Sequence, residues 1–234
     1  MFPIINGMKA IILAAGDGKR MQPITFEKPK ALVEVAGKTL LQHTISVLPK
    51  YVDEVVLVVG YLEKQIKDFC GDVFMGKKIT YVTQEKKEGT FLAVKLCKQC
   101  LTPHESFFVL YADDLIEAEA VNNAGIHEFS VVVKKVERPE RFGVITLNQD
   151  GSIEEITEKP EHPKSNLAVT NVLVLTPEIF NYTPTPHKNG EYYLTSALNE
   201  LAKHKKIMPV YADFWFPIGT PEDVTKAEEI LKTK

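Results

Sequence analysis

The chain has 234 residues, of which 44% are hydrophobic and 25% charged, and its formal net charge is −3. That length holds one large buried core, and that composition excludes collagenous, low-complexity and strongly charged disordered classes. So small a net charge gives no basic field for nucleic acid or a membrane surface, and no apolar run is long enough to span a bilayer.

Residues 1–7, MFPIING, precede Met8, which reads as a natural start; they are set aside as an extension, and a single domain is expected over 8–234. The apolar residues 10–13 form a first strand. A Pro- and Lys-rich connection follows, and residues 31–35 are apolar enough to return to the core. After a turn at Gly37-Lys38, residues 40–48 place Leu41, Ile45 and Leu48 on one helical face. DEVVLVVG at 53–60 is a β-branched run of the kind buried on both faces of a sheet. A helix over 62–69, a strand over 78–84, a helix over 90–101 and the strand SFFVLYA at 106–112 continue the alternation. Buried strands alternating with helices predict an α/β fold: a doubly wound, mostly parallel, Rossmann-like sheet with helices on both faces. Cys97 and Cys100 form a CxxC inside the third helix with no second ligand pair, so they read as helix residues one turn apart. With Cys70 the count is three, and an odd count with no leader pattern points to the cytoplasm.

The second half changes character. Residues 129–136, 142–147 and 152–157, with Asp150-Gly151 as a hairpin turn, suggest antiparallel strands. Residues 168–175 form another apolar strand, and Pro177 starts a helix. Leu194, Leu198 and Leu201 mark a helix over 192–204, and 207–212 is a last strand. Thr220 and Pro221 open an amphipathic helix over 220–232, as N-cap and first helical residue. The expected plan is a nucleotide-holding first half with a smaller antiparallel part as a cap for a second substrate.

The stretch 10–25, AIILAAGDGKRMQPIT, carries the densest chemistry. A buried strand runs into Leu13, Ala14, Ala15, Gly16 and Gly18, then into Lys19 and Arg20. Small side chains let a phosphate approach backbone N–H groups, and cations add charge-assisted hydrogen bonds. A dinucleotide fingerprint needs a third glycine where Met21 stands, and a Walker loop needs Ser or Thr where Arg20 stands. What remains is a loop that holds a nucleotide's phosphates and presents an Arg to them.

Ligands of a doubly wound sheet bind at the carboxyl ends of its strands. The polar residues fall there: Gln84 to Thr90 (QEKKEGT) after the third strand, Asp113 and Asp114 after SFFVLYA, and Glu158-Lys159-Pro160 after a strand of the second half. Gly89-Thr90 opens a helix whose N-terminus favours anions or polar base edges. A strand-end carboxylate beside a phosphate loop suits Mg²⁺, whereas a solvated turn with a helix cap is the plainer reading of Asp113-Asp114.

The opening LAAGxGxRMxPxT, followed by Lys28-Pro29-Lys30, resembles the signature of the sugar-1-phosphate nucleotidylyltransferases. Further blocks match in the same order: Gln84 with Gly89-Thr90, Asp113, Phe142-Gly143-Val144, Glu158-Lys159-Pro160, 191–195 (EYYLT), and Trp215 with 218–223 (IGTPED). No acyltransferase repeat follows, so the likeness is to a stand-alone transferase domain. The resemblance implies a Mg²⁺-dependent reaction of an NTP with a sugar 1-phosphate to give an NDP-sugar and pyrophosphate. It implies Arg20 on the triphosphate, Lys30 between the α-phosphate and the sugar phosphate, and Asp113 on the metal. It further implies Leu13, Ala14, Ala15, Gly16, Gly18, Gln84, Gly89 and Thr90 as nucleotide-binding. Gly143, Glu158, Lys159 and Asn171 would hold the sugar phosphate. UTP or dTTP is favoured by a small strand-end pocket; the sugar and a homo-oligomeric state stay open.

Two positions depart from that pattern. Pro217 stands where the family has a second metal carboxylate, with Asp213 and Asp114 as candidate substitutes. Asn171 stands where a glycine is expected. These departures motivate a rival reading, a catalytically impaired relative that binds nucleotide or NDP-sugar as a sensor or subunit. A transferase acting on another phosphorylated acceptor is a third.

Overall fold

The computed structural model describes residues 7–232, so most of the N-terminal extension lies outside the described residues. β1 (Met8–Leu13) buries Ala10, Ile11 and Ile12 completely, as an unbroken apolar run does when both faces are covered. β2 (Glu34–Val35) and β3 (Lys38–Thr39) form a ribbon ahead of α1 (Leu40–Ser46). A reciprocal cap starts α1: Gln42 N–H donates to Thr39 Oγ1 and Thr39 N–H donates to Gln42 Oε1. Then come β4 (Val52–Val59), α2 (Glu63–Cys70), β5 (Val73–Phe74), β6 (Lys77–Thr83), α3 (Thr90–Leu96), β7 (Phe107–Tyr111), β8 (Asp114–Ile116) and α4 (Ala118–Ala124). The second half comprises β9 (Ser130–Lys135), β10 (Gly143–Leu147), β11 (Ile153–Glu158), β12 (Leu167–Leu175), α5 (Leu194–Ala202), β13 (Met208–Tyr211), β14 (Trp215–Pro217) and α6 (Pro221–Lys232).

The main sheet runs β11-β10-β12-β7-β1-β4-β6-β5, with β9 also on β12 and β13 on β9. β7, β1, β4 and β6 are parallel neighbours, the geometry that a strand-helix alternation produces. Strand alternation sends Ala10 and Ile12 to pack with Leu41 and Ile45, and Ile11 to pack with Phe91, Val94 and Leu198. The expected α/β sheet with both faces covered is therefore present. The antiparallel half does not stand apart as a cap. β12 hydrogen-bonds along the free edge of β7, from Val172↔Leu110 to Leu175↔Phe107, so the second half continues the same sheet.

β12 is irregular in its middle. Its pairing with β9 holds at Leu167–Val169, breaks, and resumes at Leu173. Asn171 in the gap has φ +63°, and Thr170 turns its hydroxyl onto the Val132 carbonyl at 2.9 Å. Such a bulge re-aims one side chain out of the ladder, and Asn is among the few residues that tolerate this φ. The second ribbon pairs β8 with β14, setting Pro217 opposite Asp114 and Trp215 opposite Ile116. α3 tightens into a 3₁₀ turn over Cys97–Cys100, so the CxxC is helical as expected, and all three cysteines are free. Among the described residues no helix is long and apolar enough to cross a membrane.

Candidate active site

Two adjoining cavities open at the carboxyl ends of β1, β6 and β7. The smaller, about 260 Å³, is lined by Leu13, Ala14, Ala15, Gly16, Lys30, Gln84, Lys87, Gly89, Thr90 and Asp113 among others. The larger, about 540 Å³, is lined by Arg20, Asp113, Asp114, Gly143, Glu158, Lys159, Asn171 and Thr195, with the Trp215–Gly219 stretch closing one side. Thr90, Tyr111 and Asp113 border both. Residues expected to hold a nucleotide and residues expected to hold a sugar phosphate thus fall, with two exceptions, into two chambers sharing one wall.

Gly18 is the first exception: it lines neither chamber. Its φ is +61°, and a Cβ there would stand 2.9 Å from Thr25 Cγ2 and 3.2 Å from Lys30 Cβ. The absent side chain makes room for the segment that delivers Lys30, so this glycine shapes the loop from behind. Arg20 is the second. It borders the larger chamber, where the site of a Gly219 Cβ would be 3.4 Å from Arg20 Nη1 and from Asp223 Oδ2.

The shared wall is electrostatically built. Lys30 Nζ donates to Asp113 Oδ2 at 2.6 Å, and only 14% of the Lys30 side chain is exposed. Asp113 Oδ1 is buried with no hydrogen-bond partner. An unpartnered buried carboxylate oxygen is costly in isolation and suits a hard cation, so Asp113 fits the Mg²⁺ that the motif implies. Among the described residues no three His, Cys, Asp or Glu side chains gather into a ready-made metal site. Mg²⁺ needs none when substrate phosphates complete its shell.

Asp114 is not the solvated turn residue that the plainer reading made it. It is buried, and its Oδ2 accepts from Trp215 Nε1 at 2.8 Å and Asn171 Nδ2 at 3.0 Å. Burial, with the Asp113 charge beside it, pushes its carboxyl well above the usual range. The β12 bulge explains Asn171: the left-handed residue brings its amide to Asp114 as well as to the wall of the larger chamber. Asp213 lies outside both chambers, so Asp114 is the carboxylate that stands next to Pro217.

The loop from Gln84 to Thr90 is stitched to residues 191–194. Phe91 N–H donates to the Tyr192 carbonyl at 2.9 Å, Tyr192 N–H to the Glu88 carbonyl at 2.8 Å, and Leu194 N–H to Thr90 Oγ1 at 2.9 Å. Gly89 has φ +104°, and a Cβ on it would overlap the Tyr192 backbone. Tyr111 and Thr90 both stand in the shared wall, and burial pushes the Tyr111 phenol up. Thr195, absent from the expected site, has its Oγ1 buried without a partner on the larger chamber's wall. The sequence marks it only as the last residue of the 191–195 block (EYYLT), with no role of its own, and a hydroxyl at a helix start reads equally well as a cap.

The nucleotidyl transferase family model matches residues 9–234. The chain belongs to that family. The bifunctional protein GlmU of Methanocaldococcus jannaschii is 33% identical over 230 residues, covering 97% of this chain and 55% of that protein. The chain thus spans about half the length of the first curated relatives it matches. UTP–glucose-1-phosphate uridylyltransferase AglF of Haloferax volcanii is 33% identical over 240 residues, 96% of this chain and 97% of that one. A Bacillus anthracis protein described as a glucose-1-phosphate thymidylyltransferase, crystallised with sucrose, is 27% identical. It superposes with a TM-score of 0.85 over 97% of this chain and 96% of that one. In this nucleotidyl transferase Arg20, Lys30 and Asp113 stand around the two chambers, and Pro217 and Asn171 both line the larger one.

Proposed function

We propose that the chain joins an NTP to a sugar 1-phosphate, releasing pyrophosphate and giving an NDP-sugar. The observation that carries this reading is the shared wall: Lys30 held on Asp113, between a small chamber behind the phosphate loop and a larger polar one. UTP or dTTP is the proposed nucleotide, because a chamber of about 260 Å³ suits a pyrimidine and the named relatives use uridylyl and thymidylyl groups. A hexose 1-phosphate is the proposed acceptor. The chain over 8–234 acts as one transferase domain in this reading.

In the reaction an acceptor phosphate oxygen forms a bond to the α-phosphorus while the bond from the α-phosphorus to the bridging oxygen of the β-phosphate breaks. The acceptor phosphate is ionised at neutral pH, so no general base is needed. The difficulty is bringing two polyanions together, which positioning and fixed charge overcome. The backbone from Leu13 to Gly16 receives the nucleotide phosphates, and Gln84, Gly89 and Thr90 receive base and ribose. Lys30 neutralises charge between the two phosphates at the shared wall. Lys159 and Glu158 hold the acceptor, with Asn171 fixing the Asp114 carboxylate beside them. Arg20 borders the larger chamber in the free protein and reaches the triphosphate by a change of side-chain rotamer. Mg²⁺, held by Asp113 with Asp114 next to it, supplies charge neutralisation on the phosphates when bound.

Pyrophosphate release across a panel of NTPs and sugar 1-phosphates tests the reading. Turnover with at least one pair is expected. Measurable NTP binding with no turnover on any pair would instead support the impaired, sensor-like relative that Pro217 motivates.

A further inference from the structure

An ion pair ties the phosphate loop to a residue of the smaller chamber's wall. Lys87 Nζ lies 2.8 Å from Asp17 Oδ2, and Lys87 lines the chamber with Gly16 and Gln84. Asp17 sits inside the phosphate loop, between the two glycines, and also has Lys19 at 3.9 Å. The loops on either side are themselves fixed. Tyr61 N–H donates to the Ala15 carbonyl, its hydroxyl donates to the Thr25 and Phe26 carbonyls, and the Lys87 ammonium lies 6.0 Å from its ring centroid. A loop made to hold anions thus carries an anion of its own, and a cation from across the chamber is parked on it.

We propose that Lys87 is a ligand of the nucleotide's β- and γ-phosphates, held ready by Asp17 and exchanged from that carboxylate to the polyphosphate as the nucleotide enters. The inference rests on the reading that the smaller chamber takes the NTP. Half of the Lys87 side chain is exposed, and a third of Asp17's. An exposed pair of this kind contributes little, so it opens easily. A phosphate chain offers Lys87 several oxygens and more charge than one carboxylate does. Once Lys87 has left, Asp17 remains on the phosphate loop as a like charge. A nucleotide with a long polyphosphate offers Lys87 enough oxygens to draw it off Asp17 and overcome that repulsion, whereas a monophosphate leaves the pair closed and Lys87 out of its reach. Asp17 is therefore a positioning residue with a second effect, discrimination against the short nucleotide.

The test is the dissociation constant of the full chain for each NTP, dTTP and the matching monophosphates, by titration calorimetry, with thermal melts to verify folding. Lys87→Met is expected to weaken the best-bound triphosphate about tenfold and its monophosphate less than twofold. Asp17→Asn is expected to tighten the monophosphate severalfold, narrowing the ratio between the two. Unchanged triphosphate affinity in Lys87→Met, or equal losses for the two nucleotides, overturns the proposal. A wild-type chain that binds a triphosphate without turning it over defeats the transferase reading alone, since the affinity ratio still judges Lys87. A wild-type chain that binds no triphosphate defeats both.

Discussion

Lys30 and Asp113, 83 residues apart, meet at 2.6 Å on the wall between the two chambers, and the carboxylate's second oxygen is left without a partner. In the proposed reading one carboxylate thereby positions a nearly buried cation and keeps an oxygen for a metal. Lys30→Met removes a preorganised charge and is expected to lower kcat/KM about 10²–10³-fold. Asp113→Asn is expected to abolish Mg²⁺-dependent turnover with the far-ultraviolet spectrum unchanged. Chelation of divalent ions is expected to stop turnover, and added Mg²⁺ to restore it, with the melting temperature unmoved, because among the described residues no three His, Cys, Asp or Glu side chains gather to hold a structural metal. Turnover retained in Asp113→Asn refutes the role.

Gly89 and Gly16 border the same chamber for opposite physical reasons. Gly89 has a φ of +104° and faces the Tyr192 backbone, whereas nothing lies within 4 Å of a Cβ placed on Gly16. Gly89→Ala is therefore expected to cost about 1–3 kcal/mol of stability and to detach the Gln84–Thr90 loop from residues 191–194. Gly16→Ala is expected to stay within about 0.5 kcal/mol of the parent in stability. Yet it is expected to weaken nucleotide binding, because its methyl group keeps a phosphate off the backbone N–H groups. Denaturant melts paired with nucleotide titrations separate the two, and a Gly16→Ala protein that binds normally would move the phosphates elsewhere.

The three cysteines differ in environment, which alkylation rates can read. Burial pushes the thiols of Cys70 and Cys97 up to about 12, while Cys100 is only half-buried. At pH 8 the thiolate fraction of the first two is on the order of 10⁻⁴. One thiol per chain, Cys100, is expected to react with a disulfide reagent in the native protein within minutes, and three in denaturant. Three fast thiols in the native state would contradict the packing of α2 and α3.

What the sequence made legible follows from the range of the interactions involved. Runs such as DEVVLVVG carry their burial within themselves, and the glycines, alanines and cations of the phosphate loop are contiguous, so strands and loop are both readable. Asp114 was not. Its partners Trp215 and Asn171 stand 101 and 57 residues away, and no local pattern separates a buried, doubly hydrogen-bonded aspartate from a turn. The loop's composition shows Gly18 as one of its small residues, but not that the atoms its missing side chain makes room for belong to Thr25 and Lys30. The antiparallel strands were each visible, but their joining to β7 depends on which strand edge stays free, a property of the whole sheet.

Thr195 gives the acceptor side its own test. Its hydroxyl is buried on the wall of the larger chamber, facing the same space as Glu158 and Gly143, and makes no hydrogen bond in the free protein. A buried polar atom that satisfies nothing contributes nothing to folding and lowers stability slightly, so Thr195→Val is expected to leave the melting temperature unchanged or raise it. If the hydroxyl is kept for a sugar hydroxyl, the same substitution removes one hydrogen bond from the complex, worth about 0.5–1.5 kcal/mol, or roughly a 2–13-fold rise in KM for the sugar 1-phosphate. The KM for the NTP is expected to stay where it was, because in the proposed reading the nucleotide occupies the other chamber. Thr195→Ser, which keeps the hydroxyl, is expected to restore most of the acceptor affinity. A Thr195→Val protein with an unchanged acceptor KM would take the sugar away from this wall, and a loss of stability would instead make the hydroxyl part of the fold.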